Sequence, residues 1–317
     1  RSISEAIYKE RKENGEYKGI FDFCYRLANE KPSKRTLEAL IKSGSFDVFG
    51  ENRSTLFGSI GIAISYSNKL NLEQTVGQNN LFYSDDDIEK DIPDLRRNKE
   101  WQIDEKLSHE FSTLGFYFSG HPFDTYRNDC KYFTSDNIAS LKRMLDSKKR
   151  ESYSKDQSLI DLAGLITDVR RRGNNLAFKI DDGTALIEGI VFGEKIESLK
   201  GMIVNNQLLF LRGKLRYDKY ADIWQLVIEE VTPLEELIKT KANKLVIRCD
   251  SGFDPQKLKQ ILKSHTPGNC IVQLNYLTDV KQTKLRLSEE WKVNPTKKLR
   301  ETLAQEIGFE NFQFISD

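Results

Sequence analysis

Three groups of residues in this chain have types and spacings that could do chemistry. Asp85 and Asp87 form an Asp-x-Asp, the pattern that holds a metal ion for phosphoryl transfer. Such a pair works only when a rigid scaffold fixes both carboxylates. Here the pair lies in an acidic run with no strand or glycine turn around it, and it reads as a solvated, self-repelling linker. The second group is cationic and aromatic. Arg170, Arg171 and Arg172 precede Gly173, while Arg212, Lys214 and Arg216 alternate and are followed by Lys219, Tyr220 and Trp224. Cations neutralise phosphates and rings stack bases, so this set suits single-stranded nucleic acid; a solvated barrel face is the plainer account of the same residues. The third group is Gln78-Asn79-Asn80-Leu81-Phe82. Its two apolar side chains sit in an otherwise polar stretch, where burial in a partner's groove would stabilise a complex by roughly 1.5–3 kcal/mol each.

No catalytic constellation accompanies these groups. His121 precedes Pro122 and belongs to a turn, and His265 reads as a surface residue beside a helix end. Cys24, Cys130, Cys249 and Cys270 lie far apart without a Cys-x-x-Cys, which argues against a zinc site or a disulfide framework. The chain is therefore expected to hold no metal and no cofactor. Its 49 Lys+Arg balance 48 Asp+Glu, so any nucleic-acid surface must be a local patch. No apolar run approaches the ~18 residues that would span a membrane, and a cytoplasmic, reduced setting is expected. The start, Arg1-Ser2-Ile3-Ser4, lacks Met and reads as a cut from something longer.

The elements that must position these groups fall into five stretches. Residues 1–76 read as helical. Leu37, Leu40 and Ile41 share a helix face up to Gly44, and Asn52 caps a second helix that turns Leu56, Ile60, Ala63 and Ile64 inward. The hinge between them, 43–50, resembles a helix-hairpin-helix, which offers turn N–H groups and a helix N-terminus to duplex phosphates. It lacks the usual Gly-apolar-Gly, and plain helix packing explains the same residues. Lys34, Arg35, Lys42 and Arg53 are the candidate DNA contacts there. Residues 77–106 read as an acidic linker interrupted by Pro93. Residues 107–157 read as a helical return, with Leu107, Phe111, Leu114 and Phe118 at helical spacing before Gly120-His121-Pro122.

From 158 to 232 the period changes to two. Leu159–Val169, Leu176–Asp181, Ala185–Phe192, Gln207–Tyr217 and Asp222–Val231 read as five strands, with a turn at Asp181-Asp182-Gly183 and a helical stretch at 194–200. Five strands with a helix between the third and fourth predict an OB-fold barrel, with Trp224 in its core. Residues 233–317 read as a small α+β domain: a strand at 244–250, a helix opened by Asp254-Pro255, strands at 270–277 and 284–287, a helix opened by Asn294-Pro295, and an edge strand at 312–314. The expected fold class is a multidomain α+β chain.

Arg35-Thr36-Leu37-Glu38-Ala39-Leu40-Ile41-Lys42-Ser43-Gly44 with Asn52-Arg53, and Leu114-Gly115-Phe116-Tyr117-Phe118-Ser119-Gly120-His121-Pro122, resemble stretches of the alpha subunit of bacterial DNA polymerase III. The order of parts resembles that family over essentially the whole chain. The resemblance implies that Gln78, Asn79, Asn80, Leu81 and Phe82 are the peptide held by the sliding clamp (the beta subunit). It also implies that the last domain docks the tau subunit of the clamp loader. The family's palm carboxylates have no counterpart here, so Mg²⁺ and polymerisation are expected only of the missing palm domain. The alternative is a stand-alone OB-fold accessory protein that binds single-stranded nucleic acid.

Overall fold

The computed structural model describes residues 2–76, 92–147, 158–249, 254–277 and 282–316. The clamp-type peptide 78–82 and the Asp85–Asp87 run lie outside them. The chain divides into two compact units, Arg1–Gly120 and His121–Asp317, so the stretch 107–157 is shared between two bodies and does not form one.

The first unit is helical: α1 (Ile3–Asn14), α2 (Ile20–Arg26), α3 (Lys34–Lys42), α4 (Arg53–Val76) and α5 (Ile103–Leu114), with a 3₁₀ turn at Asp47–Phe49. Ser33 caps α3, accepting from Thr36 N–H at 3.1 Å. Asn52 caps α4, accepting from Thr55 N–H at 2.7 Å, as the sequence predicts. Leu37, Ile41, Leu56, Ile60 and Ala63 are buried together with Phe23. Residues 92–102 depart from the solvated linker expected there. They run back along α4: Arg96 N–H donates to Ser59 Oγ at 2.9 Å, Asn98 N–H to Thr55 Oγ1 at 3.0 Å, and Asn52 Nδ2 to Asn98 O at 3.0 Å. Thr55 and Ser59, one helical turn apart and both buried, thus supply main-chain partners for an extended segment. α5 ends at Leu114 because Gly115 takes a left-handed conformation (φ 80°). Phe118 therefore leaves the helical stripe and stands 72% exposed.

The second unit opens with α6 (Asp124–Cys130) and α7 (Ile138–Ser147). Strands β1 (Leu159–Arg172), β2 (Asn175–Asp181), β3 (Leu186–Phe192), β4 (Leu208–Asp218) and β5 (Ile223–Pro233), with α8 (Lys195–Leu199) before β4, close into a ring of order β1-β2-β3-β5-β4. β3 and β5 run parallel and β1 and β4 antiparallel, the connectivity expected of an OB-fold. Phe178, Ile180 and Leu226 fill the ring, Trp224 packs against that core half-buried, and Ile138, Leu141 and Leu145 of α7 belong to the same core. Asp182 explains why α7 sits there: it accepts from Ile138 N–H at 2.8 Å and from Thr184 N–H at 2.8 Å. His121 does more than turn the chain. Its Nδ1 accepts from Phe123 N–H at 3.2 Å, which leaves the proton on Nε2, 3.4 Å from Asp181 Oδ2.

After α9 (Leu234–Lys241) come β6 (Lys244–Cys249), α10 (Pro255–Lys263), β7 (Ile271–Leu277), β8 (Gln282–Arg286), α11 (Lys297–Ile307) and β9 (Phe312–Ile315). They form a four-stranded sheet of order β8-β7-β6-β9. α11 is capped by Thr296, which accepts from Leu299 N–H at 3.2 Å, two residues past the expected Asn294. The core of this sheet is not confined to 233–317: Phe123, Tyr126 and Cys130 are buried in it with Leu299 and Phe314. Arg300 and Asp129 form a buried ion pair across that junction. All four cysteines are reduced and buried.

Candidate nucleic-acid interface

In the second unit Arg172, Arg216, Lys219 and Tyr220 come together around Asp218, while Arg212 and Lys214 lie farther along β4, opposite Asp161 and Leu159. β1 does not stop at Val169. It continues to Arg172, pairing Arg170 with Ala177, Arg171 with Leu176 and Arg172 with Asn175, so the three arginines lie on a strand end and not in a loop. Alternation puts Arg170 and Arg172 on the outer face and Arg171 on the other. Gly173 (φ 59°) and Asn174 make the turn to β2, and the arginine side chains are exposed beside it. Arg170 is committed to Asp168 at 2.7 Å, which Lys179 also approaches at 3.1 Å.

Arg212, Lys214 and Arg216 share the outer face of β4, as their alternation predicts. Each meets an acid or amide there. Arg212 is bidentate to Asp161 at 2.7 and 2.8 Å, with Glu230 at 3.7 Å, and the Asp161 carboxylate raises its pKa further. Lys214 meets Glu229 at 3.3 Å. Arg216 donates to Gln225 Oε1 at 2.8 Å and covers the Phe192 ring at 4.7 Å. The strand cations are therefore largely compensated, a feature that spacing alone conceals.

The β4–β5 loop differs. Asp218 accepts from Ala221 N–H at 3.2 Å and Tyr220 N–H at 2.9 Å. Those bonds hold its carboxyl below the usual range, helped by the charges of Arg216 and Arg172. Tyr217 donates its hydroxyl to Asp222, a residue in the left-handed region (φ 55°). The loop is thus tied at both ends and presents Lys219 exposed and Tyr220 fully exposed. Arg172, Arg216, Phe192, Lys219 and Tyr220 together form a cationic, aromatic rim. OB-folds take oligonucleotides on this side, between the first and last hairpin loops. Phe192 is not evident from sequence: it reads as the last residue of a strand, and only its pairing opposite Asn175 brings it to the rim.

In the first unit, Lys34 and Arg35 are exposed in the first turn of α3, with Lys34 3.9 Å from Glu38. Lys42 lies over the Phe57 ring at 5.4 Å. Arg53 is not a surface cation. It is 1% exposed, donating to Asp47 at 2.8 and 2.7 Å and to Glu110 Oε1 at 2.8 Å. Its head lies beneath Gly44, where a Cβ would collide with Nη2. That close approach, with the left-handed φ of 81°, is why the hairpin needs glycine there. The N-terminus of α4 is likewise filled from within: the Glu100 carboxylate accepts from Arg53 and Ser54 N–H, each at 3.2 Å. Of the four candidate phosphate contacts in this unit, Arg53 is thus withdrawn into the core, and Lys34, Arg35 and Lys42 are not.

Comparison with known proteins agrees with this layout. Residues 1–56 match a helix-hairpin-helix motif family, residues 160–234 an OB-fold nucleic acid binding domain, and residues 257–308 the C-terminal domain of DNA polymerase III subunit alpha. DNA polymerase III subunit alpha of Bacillus subtilis is 32% identical, matched over 98% of this chain and 27% of its own length. The Xylella fastidiosa protein of the same name is 32% identical over 87% of this chain and 24% of its own, and that of Escherichia coli 27% identical over 99% and 27%. The chain spans about a quarter of the length of these relatives. By its sequence, the chain belongs with the C-terminal region of the DNA polymerase III alpha subunit.

Proposed function

We propose that the chain is the non-catalytic C-terminal part of a replicative polymerase subunit working in the cytoplasm. In this reading residues 78–82 tether it to the sliding clamp, the ring domain contacts single-stranded template, the helical unit contacts duplex, and the last domain docks the clamp-loader tau subunit. The observation that carries the DNA part is the β4–β5 loop, whose internal hydrogen bonds hold Tyr220 and Lys219 out in water beside Arg172. The clamp and tau parts rest on the family resemblance.

Changing Arg172, Arg216 and Lys219 to Ala in the full chain should weaken oligo-dT binding and flatten its salt dependence. Every phosphate that goes unneutralised takes about 0.7 from the slope of log affinity against log salt. Tyr220→Ala should instead cost about 1–3 kcal/mol of binding with the slope unchanged, because it removes stacking and not charge. Fluorescence anisotropy across a salt series reads both quantities. An unaltered slope in the triple variant would leave the ring as a spacer. For the tether, changing Gln78, Leu81 and Phe82 to Ala should abolish most clamp binding in calorimetry without altering the thermal unfolding of the chain; undiminished binding would place the tether elsewhere.

A further inference from the structure

The C-terminal sheet ends differently at its two edges. At β9 the outward Phe314 N–H donates to Asp129 Oδ1 at 2.6 Å, so α6 closes that side. At β8, Leu287 N–H donates to Val272 O at 2.9 Å, and the register pairs Arg286 with Gln273, Leu285 with Leu274 and Lys284 with Asn275. Antiparallel ladders alternate inward and outward residues. Leu287, Leu285 and Thr283 therefore bond to β7, while Lys284 and Arg286 turn their N–H and C=O away from the sheet. No described residue takes those groups.

The side chains beside this open edge carry a pattern. One row across the polar face reads Arg248, Asn275, Lys284; the next reads Val246, Gln273, Arg286. Arg248, Lys284 and Arg286 are exposed, and the described strand positions of this face include no acid. Among the described acids Glu289, itself exposed, approaches Arg286, at 3.7 Å. On the opposite face of the same strand Leu285 is 48% exposed. An unpaired edge suits an extended main chain, uncompensated cations suit carboxylates, and the exposed leucine suits an apolar side chain. Among the described strand positions of the polar face no ring stands for a base to stack on, which favours polypeptide over single-stranded nucleic acid.

We propose that β8 receives an extended segment of a partner protein as an added strand, with acidic residues over Lys284 and Arg286 alternating with apolar residues beside Leu285. The proposal rests on the reading of the last domain as a docking site, and it specifies the chemistry of what docks. The probes are a fluorescein-labelled peptide of alternating Glu and Val, its Lys–Val counterpart, oligo-dT, and the tau subunit, each titrated into the full chain. The Glu–Val peptide should bind and the Lys–Val peptide should not. Lys284→Glu with Arg286→Glu should weaken peptide and tau at least about tenfold. Lys284→Pro, which deletes an outward N–H while sparing the bonds to β7, should weaken both as well. If tau binds wild type and variants equally, strand addition at β8 is overturned while the docking reading stands. If tau fails to bind even the wild-type chain, the docking reading falls, and the response of the peptide to Lys284→Pro decides the edge by itself. Displacement of the peptide by oligo-dT, with oligo-dT binding abolished by charge reversal but not by Lys284→Pro, would make this a nucleic-acid surface and overturn the proposal.

Discussion

In the helical unit Arg53 meets Glu110, which also accepts from Ser119 Oγ at 2.5 Å, Phe118 N–H at 2.8 Å and Ser119 N–H at 2.9 Å. In the second unit Arg300 meets Asp129, whose main-chain donor is Phe314 N–H. Both carboxylates are shut away from water, and burial pushes both pKa values up. At Glu110 the hydrogen bonds from Ser119, Arg53 and Phe118 overcome that push and bring the value down to about 2. At Asp129 burial prevails and the value stays raised, against the pull of Arg300 and Phe314 N–H. Part of the Arg300 charge is instead spread over rings, 4.4 Å from Tyr126 and 5.0 Å from Phe314. An arginine beside a buried acid does not by itself offset the push of burial; the number of further donors decides the direction of the shift.

The comparison has opposite signs with pH. Glu110 titrates lower folded than unfolded, so its contribution is fully present above the unfolded value and is lost as pH falls toward about 2. Asp129 titrates higher folded than unfolded, so its charge is a burden at neutral pH that eases on acidification. The largest effect is expected of Glu110→Gln, which should cost the helical unit about 3 kcal/mol at neutral pH. The gap from wild type should shrink steadily as denaturation is repeated at falling pH; a constant gap would mean that hydrogen-bond geometry and not charge holds Glu110. Asp129→Asn should also destabilise the second unit, because it leaves the buried Arg300 guanidinium without its carboxylate, but here the gap from wild type should widen and not shrink as pH falls. A gap that shrinks on acidification as that of Glu110→Gln does, measured by the same denaturant titrations, would break the distinction between the two pairs.

The ring strands are legible because Leu, Ile and Phe alternate with polar residues through 159–231, and the Asn52 and Asp254 caps because their signal is local. Arg53 is not legible as a buried residue. Its partner Glu110 lies 57 positions away, and a lone arginine at a helix start looks the same whether it faces solvent or core. The 92–102 segment misleads for a related reason: its acids and proline describe a linker, whereas Thr55 and Ser59, which accept its N–H groups, sit on another element. Alternation puts the β4 cations on the correct face, but their acids come from β1 and β5. The extension of β1 to Arg172 is set by its pairing with β2, for which arginine runs give no warning.

The burial of every cysteine sets how this protein reacts with thiol reagents. Apolar surroundings push Cys24 and Cys270 up to about 12 and raise Cys130 as well, so almost no thiolate exists at neutral pH. Alkylation must then wait for the surrounding structure to open. Cys24 belongs to the helical unit, and Cys130, Cys249 and Cys270 to the second. Labelling followed by mass spectrometry of the two sets of peptides would therefore time the opening of each unit separately, in one sample and without an introduced probe.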